Sequence, residues 1–210
     1  LGLIPSRRQI ENTGGYVNNW TTEEFVKYVR GREAKELMLQ RDHGGPMQGA
    51  VEDDGIDSFR TDCKAGLDLI HIDPFKDPGV SSSEYAAKIS SDLIRECLNE
   101  NPDVLFEIGS EEAIFSYSHE YLNDFLSACR QNLGEEIFQN SIAFAVVQCG
   151  TALAGDTNTG SFDEKRLQRM TEVCKFHNVL SKEHNGDYLD EEEFKLRFRI
   201  GLDALNIAPE

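Results

Sequence analysis

Carboxylate and imidazole side chains recur in this sequence directly after short apolar runs. Asp42 and His43 follow one such run, Glu107 ends another, and His184 follows a third. Histidine nitrogens and carboxylate oxygens are common zinc ligands, and a positioned carboxylate can also transfer a proton. These residue types at these positions therefore predict a metal-assisted or acid–base reaction.

The elements that would position these side chains alternate between short β-rich runs and longer amphipathic segments. Seven runs are predicted strands: residues 1–10, 36–41, 67–72, 104–108, 142–148, 179–183 and 202–207. Five segments are predicted helices: residues 22–30, 82–98, 121–133, 164–176 and 191–200. This alternation is typical of repeated βα units on a parallel sheet, where ligands bind at the carboxyl ends of the strands.

The composition argues against several classes of partner. The chain has 210 residues and a formal net charge of −17, so it would repel nucleic-acid phosphates and anionic lipid surfaces. No apolar run reaches the roughly 18 residues of a membrane span. The five cysteines are widely spaced and form no CxxC pair, which predicts reduced, packed thiols in a cytoplasmic protein. We therefore expect no nucleic-acid or membrane partner.

Several segments resemble one protein family. Residues 4–16, IPSRRQIENTGGY, resemble the second strand and helix of the accessory subunits of tagatose-bisphosphate aldolase. Residues 41–46, RDHGGP, resemble a loop of these subunits and the Asp-His pair of catalytic class II sugar-bisphosphate aldolases. Residues 106–109, 143–155 and 189–210 are similar to later barrel segments. The resemblance implies one α/β domain, residues 1–210: a TIM (β/α)8 barrel that lacks strand one and the C-terminal helix and belongs to a longer chain.

The resemblance also implies roles for individual residues. In catalytic class II aldolases the aspartate shuttles a proton and the histidine binds zinc, which assigns these roles to Asp42 and His43. His184 is a further implied zinc ligand, Glu107 tunes or completes the metal shell, and Asn206 contacts substrate. The expected cofactor is therefore a divalent metal, with zinc preferred, acting as a Lewis acid on a ketose carbonyl.

Two positions depart from the catalytic pattern. Leu153 stands where catalytic members have a third zinc-binding histidine, and leucine cannot bind a metal. The loop after His184 reads Asn185-Gly186-Asp187, where catalytic members carry a glycine-rich turn that holds a substrate phosphate. Asp187 would repel a phosphate, whereas Asn185 is a candidate substrate contact. The accessory subunits share both departures, which weaken the expected metal site.

Other polar residues have both a functional and a structural interpretation. Arg8, together with Arg7, could bind a substrate phosphate or carboxylate, or form salt bridges within this acidic protein. His71 and Asp73 alternate onto one strand face, where they could form a hydrogen-bonded pair. Asp73 is a candidate substrate-binding residue, and a purely structural polar pair is the alternative. These alternatives stay open at the level of sequence.

Three basic residues lie outside the main pattern. Lys182 shares a strand face with His184 and is a catalytic candidate as a Schiff-base lysine, with pairing to a carboxylate as the alternative. His119 and His177 have no chemical partner nearby in sequence, which predicts that both lie on the surface.

Two functional hypotheses follow. The first is a carbohydrate-metabolism barrel of the accessory type, which binds a phosphorylated sugar or a catalytic aldolase partner, or assembles as a homo-oligomer. The second is a metal-dependent lyase or isomerase for a phosphorylated ketose, with Asp42 as the acid/base. Leu153 and the altered loop favour the first hypothesis. The retained polar strand ends favour the second, because burying polar groups without a ligand is costly.

Overall fold

The computed structural model describes residues 1–32, 36–110 and 117–208. The chain divides into two compact units, Leu1–Ile108 and Gly109–Glu210. In each unit parallel strands alternate with helices. No helix within the described ranges is long and apolar enough to cross a membrane.

The first unit contains four parallel strands that pair in chain order. Its elements are β1 (Gly2–Leu3), α1 (Thr22–Arg30), β2 (Met38–Gly44), α2 (Ile56–Ala65), β3 (Leu69–Ile72), α3 (Ser83–Glu100) and β4 (Leu105–Ile108). The strand order is β1-β2-β3-β4, and each neighbouring pair is parallel. Each helix therefore connects two strands that lie side by side.

The second unit contains three parallel strands and a short hairpin. Its elements are α4 (His119–Leu133), α5 (Glu135–Ser141), β5 (Ile142–Val147), β6 (Leu153–Ala154), β7 (Thr157–Asn158), α6 (Glu164–Phe176), β8 (Leu180–Glu183), α7 (Glu191–Ile200) and β9 (Ala204–Leu205). Strand β8 lies between β5 and β9, and both pairings are parallel. Strands β6 and β7 form an antiparallel hairpin.

The predicted fold class is confirmed, because seven parallel strands alternate with helices in the α/β pattern of a TIM-type barrel. Each predicted strand and helix overlaps an observed one. The observed helices at the predicted positions begin after a side chain that accepts a hydrogen bond from a first-turn amide. These capping residues are Thr21, Ser82, Ser118, Asp163 and Asp190.

The predicted strand at residues 1–10 is the least accurate prediction, since only Gly2–Leu3 forms a strand. Pro5 has no amide hydrogen to continue a ladder. Beyond it the chain turns, because the amides of Gln9 and Ile10 both donate to the Ser6 carbonyl at 3.1 Å. The Ser6 amide in turn donates to Gln9 Oε1 at 2.8 Å. Pairing with β2 continues only as an isolated parallel bridge between Ser6 and Asp42, and local hydrogen bonds replace it beyond that point.

Two helices, α2 and α5, are additional to those predicted. Each follows a glycine with positive φ, Gly55 and Gly134, and neither has a side-chain cap. Without a capping residue, the strongest sequence signal for a helix start is missing from both helices.

A buried ion pair lies within the first unit. Arg41 and Asp62 are completely buried, and the guanidinium donates two hydrogen bonds to the carboxylate, at 2.8 and 2.7 Å. Arg41 also donates to the carbonyls of Ile10, at 2.7 Å, and Pro5, at 3.1 Å. Burial opposes the charge of Arg41, but the carboxylate of Asp62 outweighs burial and raises the pKa of the arginine. This network joins β2 and α2 to the segment before α1. Arg41, at its centre, is the residue immediately before Asp42.

The buried state of His177 contradicts the prediction of a surface residue, since its exposed fraction is 3%. Its Nε2 lies 3.1 Å from Asn123 Oδ1, and its Nδ1 has no hydrogen-bond partner among the described residues. The residue ends α6, where its backbone carbonyl accepts a hydrogen bond from Arg130 at 2.7 Å. Packing of α4 against α6 therefore covers a side chain that the sequence predicted to be on the surface. All five cysteines are buried and free, as predicted.

His177 leads to a prediction about stability and pH. Burial, with a further contribution from Arg130, lowers the pKa of His177 below its usual value. The unfolded chain takes up a proton near pH ~6.5, whereas the folded chain does not, so the unfolded state binds more protons below that pH. We expect the free energy of unfolding to fall as pH decreases below about 6.5.

Urea denaturation at several pH values between about 5.5 and 8 would measure this effect. His177→Gln should flatten the dependence relative to the wild type, while His119→Gln, a partly exposed control, should not. Equal pH dependence in wild type and His177→Gln would contradict the assignment.

Candidate metal and substrate site

The end of β2 is distorted where Asp42 and His43 lie. The register of β2 against β3 shifts between Arg41 and Gly44, as in a β-bulge. His43 has a φ of 46°, in the left-handed region that few residues other than glycine adopt. Backbone strain of this kind is concentrated at functional sites, so the geometry marks His43 as a candidate functional residue.

The two glycines after His43 allow the chain to approach β3 closely. A Cβ atom at Gly44 would lie 2.3 Å from Cε1 of Phe59. Gly45 has a φ of 133°, and a Cβ atom there would lie 2.7 Å from the Asp73 carbonyl oxygen. Neither position accommodates a side chain, which explains the Gly-Gly pair of the loop at residues 41–46.

Asp73 orients the ring of His43. Its Oδ2 atom lies 2.8 Å from His43 Nδ1, and its Oδ1 accepts the Phe75 amide at 3.1 Å. Because a carboxylate can only accept, the proton of a neutral His43 lies on Nδ1. The lone pair of Nε2 then remains available to a metal, which is the usual carboxylate–histidine–metal arrangement.

Asp42, His43 and His71 form a possible metal-binding cluster in the first unit. Each offers one ligand atom, and these three atoms lie within 4.8 Å of one another. The rings of His43 and His71 are 4.9 Å apart, and the His43 amide lies 3.4 Å from His71 Nδ1. Two imidazoles and one carboxylate form a donor set typical of catalytic zinc, which keeps a fourth position open for water or substrate. The side chains present therefore fit a divalent metal ion.

Glu107 lies next to this cluster on the neighbouring strand. In the β3–β4 register it is the partner of His71, and its side chain is completely buried. Gln40 Nε2 donates to Glu107 Oε2 at 2.5 Å. Since Arg41 points toward α2, Gln40 and Asp42 project from the opposite face of β2. Asp42, His71 and Glu107 thus share one face of the sheet.

In the second unit, β8 and β9 bring His184 and Asn206 together. Asn206 Nδ2 lies 3.2 Å from His184 Nε2, and both side chains are buried. Lys182 is also buried, and its Nζ lies 5.4 Å from the centre of the Phe144 ring. His184 and Asn206 are therefore neighbours in space, while their roles in a site and Schiff-base chemistry at Lys182 stay predictions.

The loop after His184 is held by internal hydrogen bonds. Asn158 Nδ2 donates to the carbonyls of Asn185, at 3.0 Å, and Asp187, at 3.2 Å. The Asp187 carboxylate is buried and accepts the Ala208 amide. Asp187 thus has a structural role that the sequence did not suggest. Leu153 lies in β6 with 41% of its surface exposed.

The structure distinguishes Arg7 from Arg8. Arg7 is buried and donates to Glu11 at 2.5 Å and to both carboxylate oxygens of Asp53 at 2.8 and 2.7 Å. Burial opposes its charge, but Asp53 and Glu11 raise the pKa of Arg7. Arg8 is exposed and lines a cavity of about 580 Å³ with Tyr16. The salt-bridge interpretation is therefore confirmed for Arg7, and substrate binding by Arg8 stays a prediction.

Solved structures share this arrangement of strands and helices. A protein described as a probable tagatose 6-phosphate kinase from Sinorhizobium meliloti 1021 superposes with a TM-score of 0.78, over 98% of this chain and 57% of that protein, at 19% identity. The YdjI aldolase from Escherichia coli K12 gives 0.60, over 99% and 65%, at 14% identity. Deoxyribose phosphate aldolase from Aeropyrum pernix gives 0.58, over 90% and 71%, at 13% identity. These similarities show that the chain has an α/β barrel fold.

The chain spans less than two thirds of the length of the first two of these proteins. No protein-family model matches the sequence. No curated protein sequence matches it either. The comparisons therefore support the barrel fold alone, and the function of the chain has to be argued from the site.

His71 is a possible metal donor that the sequence did not indicate. Strand alternation predicts only that His71 and Asp73 share a strand face, and it does not indicate His71 as a metal ligand. The structure shows that Asp73 contacts His43, which lies 30 positions earlier, and that His71 is close enough to join Asp42 and His43 as a third donor. The only local signal was that His71 shares a strand face with Asp73.

Proposed function

We propose that this aldolase-type barrel binds a divalent metal ion, with zinc preferred, and acts on a phosphorylated ketose by aldol cleavage. The observation that carries this proposal is the group formed by Asp42, His43 and His71, together with Asp73 behind the His43 ring. A buried carboxylate that orients a histidine ring, with two further donors nearby, is an arrangement that serves metal binding. The resemblance to class II sugar-bisphosphate aldolases supports the substrate class.

When bound, the metal would supply Lewis-acid polarisation of the ketose carbonyl. The chain's own residues do the rest. His43 and His71 hold the ion, and Asp42, which is partly exposed, takes the proton from the hydroxyl group on the carbon that becomes the aldehyde. The carbon–carbon bond between that carbon and its neighbour then breaks, and its electron pair stays on the ketose fragment as an enediolate, which is later protonated.

The remaining sequence-based assignments keep their proposed roles. Glu107 tunes or completes the metal shell, and the resemblance assigns His184 to the metal as well. Asn206 and Asn185 orient the substrate, and Arg8 contacts its charged end. Single alanine variants of these residues would test each role separately, with bound metal measured by elemental analysis and substrate binding measured by calorimetry.

A direct test compares wild type with Asp42→Asn, a variant of nearly the same size. Both proteins are freed of metal with a chelator, reloaded with zinc, and assayed for cleavage of a panel of ketose bisphosphates. We expect about one zinc per chain in both proteins and a kcat lower by roughly 10²–10⁴ in Asp42→Asn, as for loss of a general acid–base.

Each outcome of this test is informative. Loss of zinc in Asp42→Asn would make Asp42 a ligand instead of the acid–base. Zinc-loaded wild type that cleaves no member of the panel would contradict the lyase proposal. Failure of the wild type to bind zinc or any other divalent ion would contradict the metal proposal itself.

The second candidate function is that of an accessory subunit, without chemistry of its own. Leu153 and the loop at residues 184–188 favour it, because they lack the histidine and the glycine-rich turn of catalytic members. Its partner would be a catalytic aldolase subunit or a second copy of this chain. Ketose phosphate binding without cleavage, and a change in sedimentation when a class II aldolase is added, would support this role.

A further inference from the structure

A basic cavity lies in the second unit where α4 and α6 begin. Its volume is about 430 Å³. The side chains that surround it include Ser118, His119, Asp163, Lys165, Arg166 and Arg169. None of these residues belongs to the candidate metal site. The cavity therefore calls for an explanation of its own.

The charge of this cavity contrasts with the rest of the chain. The protein has 38 acidic and only 21 basic residues, yet Lys165, Arg166 and Arg169 lie in the first two turns of α6. The amino end of a helix carries partial positive charge, so cations are electrostatically unfavourable there and anions are favourable. Helix stability would place these cations at the other end of α6. Their position instead suits the binding of an anion.

The local contacts leave these cations available. Among the ion pairs between described residues, none includes Lys165, Arg166 or Arg169. Arg166 is held in place because its Nη2 donates to the Tyr117 carbonyl at 2.5 Å. A fixed guanidinium with further donors loses little conformational freedom when it binds an anion.

The acidic groups beside the cavity are already engaged. Asp163 caps α6, since its Oδ1 accepts the Arg166 amide at 3.0 Å. Glu120 lies 3.1 Å from His119 Nδ1, and its pKa is lowered, mainly because its own backbone amide and Ser118 donate to it. Asp163 and Glu120 therefore already have partners at the starts of their own helices. The three cations, together with the partial positive charge of two helix amino ends, remain to bind a ligand.

We propose that this cavity binds a phosphoryl group. Arginine forks match the geometry of phosphate oxygens, and helix amino ends bind phosphate through backbone amides. The site would hold either the phosphate of a sugar phosphate or free inorganic phosphate. The phosphate site shares no residue with the metal cluster. Its test is therefore separate from the test of the proposed lyase activity.

The test is an NMR titration of the ¹⁵N-labelled protein with inorganic phosphate at constant ionic strength. We expect saturable shifts of the amides at residues 119–120 and 164–166, with a millimolar dissociation constant. Arg166→Gln/Arg169→Gln should weaken binding by at least about tenfold, since charge-assisted hydrogen bonds are lost. Lys165→Gln/Arg169→Gln removes only exposed charges and should not disturb folding. Weaker phosphate binding by this variant as well would exclude misfolding as the cause of the loss.

Arg199→Gln is the matched control, because Arg199 is an exposed arginine of α7 whose nearest carboxylate is 3.8 Å away. It should bind phosphate within about twofold of wild type. Unchanged affinity in both cavity variants would overturn the proposal, and so would an equal loss in Arg199→Gln, which would indicate nonspecific attraction. Shifts confined to other amides would show an adventitious ion only and would also overturn it.

A second titration with a ketose 6-phosphate identifies the source of the phosphoryl group. Tighter binding of the sugar phosphate at the same amides would support a substrate or effector phosphate, and equal affinity would support a site for inorganic phosphate. No shift at these amides with either compound would overturn the proposal. Zinc content measured on the same samples reports on the metal site independently.

Discussion

Replacing His43 or His71 by alanine is expected to abolish zinc binding at stoichiometric concentrations. In the proposed site these two histidines hold the ion, and one ring nitrogen of each lies within 4.8 Å of the other and of an Asp42 carboxylate oxygen. The loss of a ligand should cost more than the roughly 10–100-fold in affinity that the loss of an orienting partner costs. Competition against a chromophoric zinc chelator would measure the affinity of each variant.

Asp73→Asn provides a graded comparison for the same site. Asp73 is completely buried and accepts a hydrogen bond from His43 Nδ1, but it is not itself in the donor cluster. The amide can present its NH₂ group to the ring and favour the wrong tautomer, so zinc affinity should fall by roughly 10–100-fold. His119→Ala removes a histidine from the second unit and should leave zinc affinity unchanged.

The order of the effects tests the assignment. Zinc affinity should decrease from wild type to Asp73→Asn, and further to His43→Ala and His71→Ala. Because His43 has a strained backbone, His43→Ala could also relax the bulge, and His71→Ala is the cleaner variant. Wild-type zinc affinity in His71→Ala would show that the ion binds elsewhere.

Asp62→Ala is expected to destabilise the protein by about 3–5 kcal/mol, the usual cost of leaving a buried charge without its partner. Asp62 and Arg41 are both completely buried, and Asp62 accepts two of the hydrogen bonds that Arg41 donates. Such a loss is a large part of the roughly 5–15 kcal/mol that stabilises a typical protein. Urea denaturation followed by circular dichroism would measure the free energy of unfolding.

Two further variants make this expectation specific. Asp57→Ala changes an aspartate of the same helix, whose side chain is 88% exposed and 3.7 Å from Arg60, and should cost at most about 0.5 kcal/mol. Arg41→Met/Asp62→Leu removes both charges and should be less destabilised than Asp62→Ala. A free energy of unfolding within about 1 kcal/mol of wild type for Asp62→Ala would argue against a dominant role for the ion pair.

The sequence by itself determined the alternation of strands and helices, because these signals are local. Thr21, Ser82 and Asp190 cap their helices through amides three positions away, as their residue types predict. Apolar runs became strands at the predicted places. The adjacent Asp42 and His43 were also recognisable, because neighbours in sequence at the end of a strand stay neighbours in space. By contrast, α2 begins after Gly55 without a capping side chain, and the sequence did not predict this helix.

Only the tertiary structure decided which distant side chains meet. Alternation along a strand states the face on which His71 and Asp73 lie, but the contact of Asp73 with His43 depends on the register between β2 and β3 and on the bulge that shifts it. The tertiary structure also decided which of two similar side chains is buried. Arg7 and Arg8 are adjacent and alike in sequence, yet Glu11 and Asp53 converge on Arg7 alone. Spacing along the chain limits which contacts are possible, and the packing of strands and loops selects those that form.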